Sequence, residues 1–259
     1  MDMQQMLAEL GVTEQTLTEQ EKLTLDTQGY IVFHNLIDKQ QLTELCDKYE
    51  ELMSKSAGTI AHQREVGTRR LFDLENQGPV FDRIYTMPKV LAAVRHLIQR
   101  EFKFVTLNGR DAVPGEGHQS LHADWPNEKD GPIHAVTCLV MLDDFTPDNG
   151  ATRVVPGTHR TGINPVSDLE PGRALQPHPD EITLIAPAGS VAVMASHLWH
   201  GGTINTTTGT RRALHPFYMA RDKRQSPGHL NSREYIRVKT YKRISPAARY
   251  LLDVEWDNI

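Results

Sequence analysis

From Phe102 onward the chain breaks into short apolar runs separated by clusters of Gly, Pro, Asn and Asp, and this texture restricts its fold more than any other feature. The runs are FKFVTLNG, HAVTCLVMLDDF, ATRVVPG, EITLIAPAGSVAVMAS and RRALHPFYMA, with AVPGEGH and TPDNG between them. Runs of about four to eight residues rich in β-branched and aromatic side chains, closed off by turn formers, read as strands of a sandwich or barrel. Too few helical stretches intervene for a parallel βαβ sheet. The architecture that suits such strands is a double-sheet jelly roll, or double-stranded β-helix.

The first hundred residues have a different pattern. Leu42, Leu45, Cys46, Tyr49 and Leu52 recur at three- and four-residue steps among charged residues, which is the apolar stripe of a helix over 39–55, with Asp38 as its N-cap. Tyr30-Ile31-Val32-Phe33, following Gly29, reads as a strand. Residues 80–100 look helical again, with Pro88 capping or interrupting the run. The expected fold class is therefore mainly β with flanking α-helices. At 259 residues the length does not itself separate one domain from two, since a domain takes ~100–200 residues and β sandwiches run longer. We expect a single domain over 1–259, with a mostly helical part at 1–100, a jelly-roll core at 101–220 and an extension at 221–259.

Composition narrows the function. No apolar run approaches the roughly 20 residues that span a bilayer, and MDMQQMLAEL lacks the basic start of a secretory leader. We expect a cytoplasmic protein without membrane contact. With only Cys46 and Cys138 present, a disulfide framework or a cysteine zinc site is not expected, and both read as small buried hydrophobes. A net charge of -5 gives no reason to expect nucleic acid as a partner. From Arg211 to the end, eleven Lys or Arg face five Asp or Glu. That surplus reads first as a solvated face and second as a basic rim for an anionic substrate.

Two segments carry the chemistry: His122-Ala123-Asp124 in LHADW, and His200 in LWHGG. Two imidazoles and one carboxylate are the donors of a facial-triad Fe(II) site with open positions. His122 and Asp124 are two apart, so an extended segment projects both to one side. Pro114-Gly115 and Pro126 make a helix there improbable. His118 and His122 imitate a zinc-protease motif, but Gln119 stands where the general-base Glu is required. The third donor comes from the strand-like VAVMASHLWH, where His197 and His200 would fall on opposite faces. His200, directly before Gly201-Gly202 at the strand mouth, is preferred and His197 is the lesser candidate. Eleven residues on, Arg211 offers a planar guanidinium that holds a carboxylate by two parallel hydrogen bonds. The connection GTINTTTGT would let its strand return antiparallel beside His200. Arg212 is the alternative, since only one of two adjacent residues points inward.

Together, His122-x-Asp124, His200-Gly201-x-x-x-Asn205 and Arg211 resemble the phytanoyl-CoA dioxygenase superfamily of Fe(II)- and 2-oxoglutarate-dependent oxygenases. LDDFTPDNGATRVVPGTHR is similar to that family's central segment, and LDTQGYIVFHNLIDKQQLTELCDKYEEL to its opening strand and helix. The resemblance spans roughly residues 15–220, through motifs that are loose singly and specific together. It implies that His122, Asp124 and His200 hold Fe(II) and that Arg211 binds the distal carboxylate of 2-oxoglutarate, with O2 as the further reactant. Gln119 and Thr152 match positions that touch the cosubstrate in natural-product-tailoring members. Asp124 argues against halogenation, because related halogenases carry a small residue there. Where many relatives have a Ser, this chain has Gly202, so a cosubstrate hydrogen bond is either missing or supplied by Thr203.

The implied activity is oxidation, by default hydroxylation, of a natural product or other small metabolite, with release of succinate and CO2. An acyl-CoA hydroxylase of the same family and a non-catalytic jelly-roll binding protein are the alternatives. A zinc hydrolase, or a dioxygenase without 2-oxoglutarate, would leave Arg211 without a task. Trp125 reads equally as a core aromatic and as a wall of the substrate pocket. Arg153, His159 and Asn205 read as structural, and Arg64, Arg69 and Arg70 as a surface cluster in a loop more than as substrate contacts. The oligomeric state stays open.

Overall fold

The computed structural model describes residues 1–55, 67–126, 128–224 and 236–254. Among the described residues nine strands follow in chain order: β1 Tyr30–Phe33, β2 Thr68–Leu71, β3 Phe102–Ala112, β4 Ala135–Met141, β5 Thr152–Val155, β6 Ile182–Thr183, β7 Val191–Ala195, β8 Trp199–Gly202 and β9 Arg211–Ala220. Helices are α1 Met3–Glu9, α2 Glu19–Gln28, α3 Lys39–Lys55, α4 Pro79–Tyr85, α5 Pro88–Ile98, α6 Val238–Arg243 and α7 Pro246–Leu251. The strands form two antiparallel sheets, ordered β1-β7-β4-β9-β3-β2 and β6-β5-β8. This is the expected class, a β core of jelly-roll type with flanking helices.

Strand alternation explains how the layers form. Along β4 and β9, Val136, Cys138, Val140, Leu214 and Tyr218 face outward and are buried with Leu45, Tyr49, Leu91 and Val94 of α3 and α5. Their neighbours Leu139, Met141 and Ala213 face inward and meet Phe145, Val154 and Leu184 in a second core between the sheets. At these positions the large sheet is thus apolar on both faces and must be covered on both. Local signals fix the helices. Asp38 Oδ1 accepts from Gln41 N at 2.8 Å as the N-cap of α3, and Pro88 is the first residue of α5, where its missing N–H costs nothing. Gly29 ends α2 at φ 80°, and a Cβ there would lie 2.3 Å from the His159 ring, so only glycine turns the chain directly into β1.

Several pairings differ from the sequence expectation. VAVMASHLWH is not one strand: β7 ends at Ala195, a turn closed by Leu198 N to Ala195 O follows, and β8 starts at Trp199 in the other sheet. His197 and His200 therefore do not occupy opposite faces of one strand. Nor does β9 return beside β8. It inserts between β3 and β4, so Arg211 reaches inward from the facing sheet. His122 makes a single bridge to His200 instead of belonging to a strand. Arg69 and Arg70 lie in β2 and not in a loop, with Arg69 2.6 Å from the buried Asp111, while Arg64 lies outside the described residues. Cys138 is buried as expected, but Cys46 is only half-buried, its thiol turned toward Leu142 O at 3.6 Å. Among the described residues no helix is long and apolar enough to cross a membrane.

A candidate metal centre between the sheets

The segment carrying His122 and Asp124 crosses one end of the space between the sheets and is stitched to its surroundings by backbone bonds. His122 and His200 exchange reciprocal N–H to carbonyl bonds of 2.9 Å, and Trp125 N donates to Ser196 O at 3.0 Å. His200 pairs with Val154 of β5, whose side chain is in the inner core, so its imidazole also points inward. One donor atom from each of His122, Asp124 and His200 lies within 4.8 Å of the others. The Nε2 atoms of His122 and His200 are 3.7 and 3.6 Å from the Asp124 oxygens, too far for hydrogen bonds. Two metal–ligand bonds of ~2.0–2.2 Å span more than that gap, so one ion can bridge each pair.

The rings are already oriented for this task. His122 Nδ1 lies 2.9 Å from Ser120 O, and His200 Nδ1 lies 2.9 Å from Leu198 O. A carbonyl only accepts, so each Nδ1 carries the proton and each Nε2 offers its lone pair to the centre. Burial and the neighbouring His200 and Arg110 hold His122 below the usual imidazole range. Burial works to raise Asp124, but His200, His122 and the Thr137 hydroxyl outweigh it and hold the carboxyl below its ordinary value. A carboxylate facing two imidazole nitrogens is a donor set for a borderline divalent cation.

Asp124 is fixed by residues that the sequence reading missed. Thr137 Oγ1 donates to Asp124 Oδ2 at 2.6 Å and is itself 2.8 Å from Ser196 Oγ. The signal was present, since Thr137 is the one hydroxyl in the otherwise apolar run of β4, and a polar group in a buried strand needs a reason. Replacing Thr137 with Val should leave the fold intact and lower the affinity for Fe(II) or Co(II) ~10- to 100-fold, the usual cost of losing a partner of a metal ligand. Equilibrium dialysis measures this, and an unchanged affinity would remove Thr137 from the site.

Arg211 is 1% exposed and stacks over Phe145, with the guanidinium carbon 4.2 Å from the ring centroid. Its Nη2 donates to Gly150 O, while Nε and Nη1 are buried without a partner among the described residues. Burial, with Arg110 adding to it, pulls its pKa down to about 9. Arg212 points the other way and pairs with Asp143 at 2.6 Å. A buried cation with two unused donors is what an anionic ligand would complete. These residues therefore suit Fe(II) at the triad and 2-oxoglutarate against Arg211.

The other candidates sort by position. Gln119 pins the approach to His122: its N donates to Gly202 O at 2.9 Å and its Oε1 accepts from Gly202 N at 3.0 Å. Thr152, opposite Gly202 and two before Val154, faces inward. A Cβ on Gly202 would stand 2.6 Å from Gly117 O, so a Ser does not fit there. Thr203 does not supply the missing hydroxyl either, since its Oγ1 donates to Ala151 O at 2.8 Å. Asn205 is fully buried and braces the turn, donating to Ala112 O at 2.9 Å and Gly209 O at 2.8 Å. Arg153 bonds Gln119 O and Glu181, and His159 is buried beneath Gly29. Trp125 is half-buried against Val105, Ala135 and Met219. His197, fully buried, accepts from His134 N at 3.4 Å and stands outside the cluster.

Comparison with known proteins places the chain in a family. Residues 25–213 match the family described as Phytanoyl-CoA dioxygenase (PhyH). The uncharacterized protein Rv1501 of Mycobacterium tuberculosis is 27% identical over 227 residues, 83% of this chain and 80% of that one. The Fe(II)/2-oxoglutarate-dependent dioxygenase nvfF of Aspergillus novofumigatus is 34% identical over 109 residues, 40% of this chain and 34% of that one. Among solved structures, HygX from Streptomyces hygroscopicus, with nickel and 2-oxoglutarate bound, superposes with a TM-score of 0.66 at 21% identity, covering 80% of this chain and 88% of that chain. HygX has also been solved with hygromycin B bound in addition. The family match spans most of the chain, and the chain belongs to the phytanoyl-CoA dioxygenase (PhyH) family, whose relatives are Fe(II)- and 2-oxoglutarate-dependent dioxygenases.

Proposed function

We propose that this protein oxidises a small molecule at an Fe(II) centre held by His122, Asp124 and His200, with 2-oxoglutarate anchored by Arg211. The observation that carries the reading is the buried guanidinium of Arg211, with two unpartnered nitrogens, in the same inter-sheet space as the triad. With 2-oxoglutarate and O2, iron supplies the oxidising power to break a substrate C–H bond, and 2-oxoglutarate leaves as succinate and CO2. The chain's own residues do the positioning. Ser120 and Leu198 carbonyls hold the imidazoles in the ligating tautomer, Thr137 holds the carboxylate, and Gln119 locks the HxD segment onto β8. Phe145 seals the flat side of Arg211 from water, which strengthens its pairing with a carboxylate. Thr152 faces the cosubstrate's space from β5, and Trp125 walls the substrate side.

The substrate is a small metabolite, a reading supported by HygX, whose structure holds hygromycin B. Intact Asp124 favours oxygen insertion over halogenation. Adding Fe(II) and 2-oxoglutarate to the metal-free protein without oxygen should give the visible charge-transfer band of a chelated 2-oxo acid. Correctly folded protein that shows no such band would overturn the assignment.

A further inference from the structure

Between β5 and β6 the chain runs through residues 161–181 with a single 3-10 turn, Arg173–Leu175, as its regular part. Irregular connections longer than ~12–15 residues are uncommon in compact domains. This one lies over the outer face of the small sheet. Leu121 directly precedes the ligand His122, and Trp199 directly precedes the ligand His200, so in extended chain their side chains turn away from the metal. There they pack with Val155 of β5, which is paired with Trp199, and with Ala174 and Leu169 of the segment. An apolar sheet face needs such a cover.

The hydrogen bonds of the segment go further than covering requires. Ile163 O accepts from Trp199 Nε1 at 2.9 Å, and Ala174 O accepts from Leu121 N at 2.8 Å. At the far end Glu181 pairs with Arg153 at 3.1 Å, and the other arm of that guanidinium donates to Gln119 O at 3.0 Å. Glu181 also accepts from His178 N at 3.0 Å, and the His178 ring meets that of Trp199 edge-on with centroids 5.9 Å apart. The near end is fitted against the chain beyond Asp124. Asp130 N donates to Arg160 O at 2.9 Å, and a Cβ on Gly162, at φ 69°, would lie 2.4 Å from Lys129 N. Residues flanking every member of the triad are thus held from behind by one segment, while the His122 and Asp124 side chains stay partly open to solvent in front.

Resting on the metal reading of the triad, we propose that residues 161–181 are a strap that presets the two imidazoles, acting through Trp199 and Arg153 as positioning residues. Neither side chain is a ligand. Trp199 fixes the approach of His200, and Arg153, through Gln119, fixes that of His122. Without these ties the rings gain freedom that metal binding has to remove, which lowers affinity. The coupling is reciprocal, so a bound metal steadies the strap in turn.

The test is metal binding to the full chain, read by dialysis against Co(II) and by the visible absorption of bound Co(II), with no turnover needed. Trp199→Phe keeps an aromatic ring in the apolar cluster and drops the N–H to Ile163 O, and Arg153→Gln drops the pair with Glu181. Each should weaken Co(II) binding ~3- to 10-fold, the worth of an ordinary hydrogen bond, and alter the absorption as the ligand geometry loosens. Arg153→Lys should recover part of the loss, and Val166→Ser, on the exposed side of the strap, should change neither readout. Hydrogen exchange on the unaltered protein reads the coupling without any variant. Zn(II) should slow exchange of the Trp199 indole N–H and of the Gln176 amide, which closes the strap's own turn on Arg173 O, by a similar factor. Zn(II) that binds without slowing either proton, or variants that lose melting temperature while Co(II) affinity and absorption stay as they were, would reduce the segment to a cover and overturn the proposal. Folded, unaltered protein that binds neither metal would overturn the metal reading itself, and the strap with it.

Discussion

Replacing His200 with Ala should abolish binding of Fe(II) or Co(II), whereas His197→Ala should leave it intact. The two residues are three apart, yet the turn between β7 and β8 sends them into different surroundings. The His200 ring stands 3.6 Å from Asp124 with its other nitrogen secured to Leu198 O. His197 is fully buried, and its Nε2 accepts from the His134 N–H. Burial, with His134 and His159 adding to it, pushes its pKa to about 3, so it is a neutral core residue. Loss of a mere partner of a metal ligand costs ~10- to 100-fold in affinity, so loss of a ligand should cost at least ~100-fold. His197→Ala should cost stability instead, ~1–3 kcal/mol for the cavity and the His134 N–H left unpaired. Dialysis against Co(II), paired with a denaturant melt, separates the two effects. Metal binding lost in His197→Ala and kept in His200→Ala would place the third donor on the wrong residue.

The strands and helices were legible because their periods are written into single segments. α3 keeps three- and four-residue spacing under one cap, and β4 keeps a nearly continuous apolar run between turn formers. Strand partners are set between segments, and no single segment encodes them. β8 follows β7 after a short turn yet belongs to the other sheet, and β9 enters between β3 and β4 despite a Pro216 in its middle. That proline is tolerated because the β4–β9 ladder lapses there: Thr137 pairs Phe217 and Val140 pairs Leu214, with no pair between.

The cluster of His122, Asp124 and His200 could be read for a similar reason, since two of its three members stand two residues apart in one segment. What could not be read is which groups hold them. Thr137 of β4 and Ser196 of the turn after β7 meet at Asp124 from segments distant in sequence, and only the fold assembles them. Arg211 and Arg212 do face opposite sides of one strand, and Arg211 is the one turned inward. His197 and His200 were expected on opposite faces of one strand, whereas the turn between β7 and β8 separates them.

Arg211→Met should weaken 2-oxoglutarate binding ~100-fold or more while leaving the ligand-free protein at least as stable as before. Removing one member of a buried, hydrogen-bonded charge pair costs ~2–5 kcal/mol of binding. Without the cosubstrate, however, Arg211 is a desolvated cation with two nitrogens unpartnered, and Met retains the stacking surface over Phe145 while dropping that burden. Thermal shift shows both halves: 2-oxoglutarate with Zn(II) should raise the melting temperature of the unaltered protein and barely move that of Arg211→Met. The pH dependence carries the same signature. With its pKa pulled to about 9, the free guanidinium is charged below that pH and loses its proton above it, so cosubstrate affinity should fall as pH rises past about 9, well before an exposed arginine would deprotonate. Arg212→Ala should do the converse. It keeps 2-oxoglutarate binding and, because its Asp143 pair is partly open to water, costs only about 1 kcal/mol of stability. If Arg212→Ala loses the cosubstrate and Arg211→Met keeps it, the inner face of β9 is the opposite one.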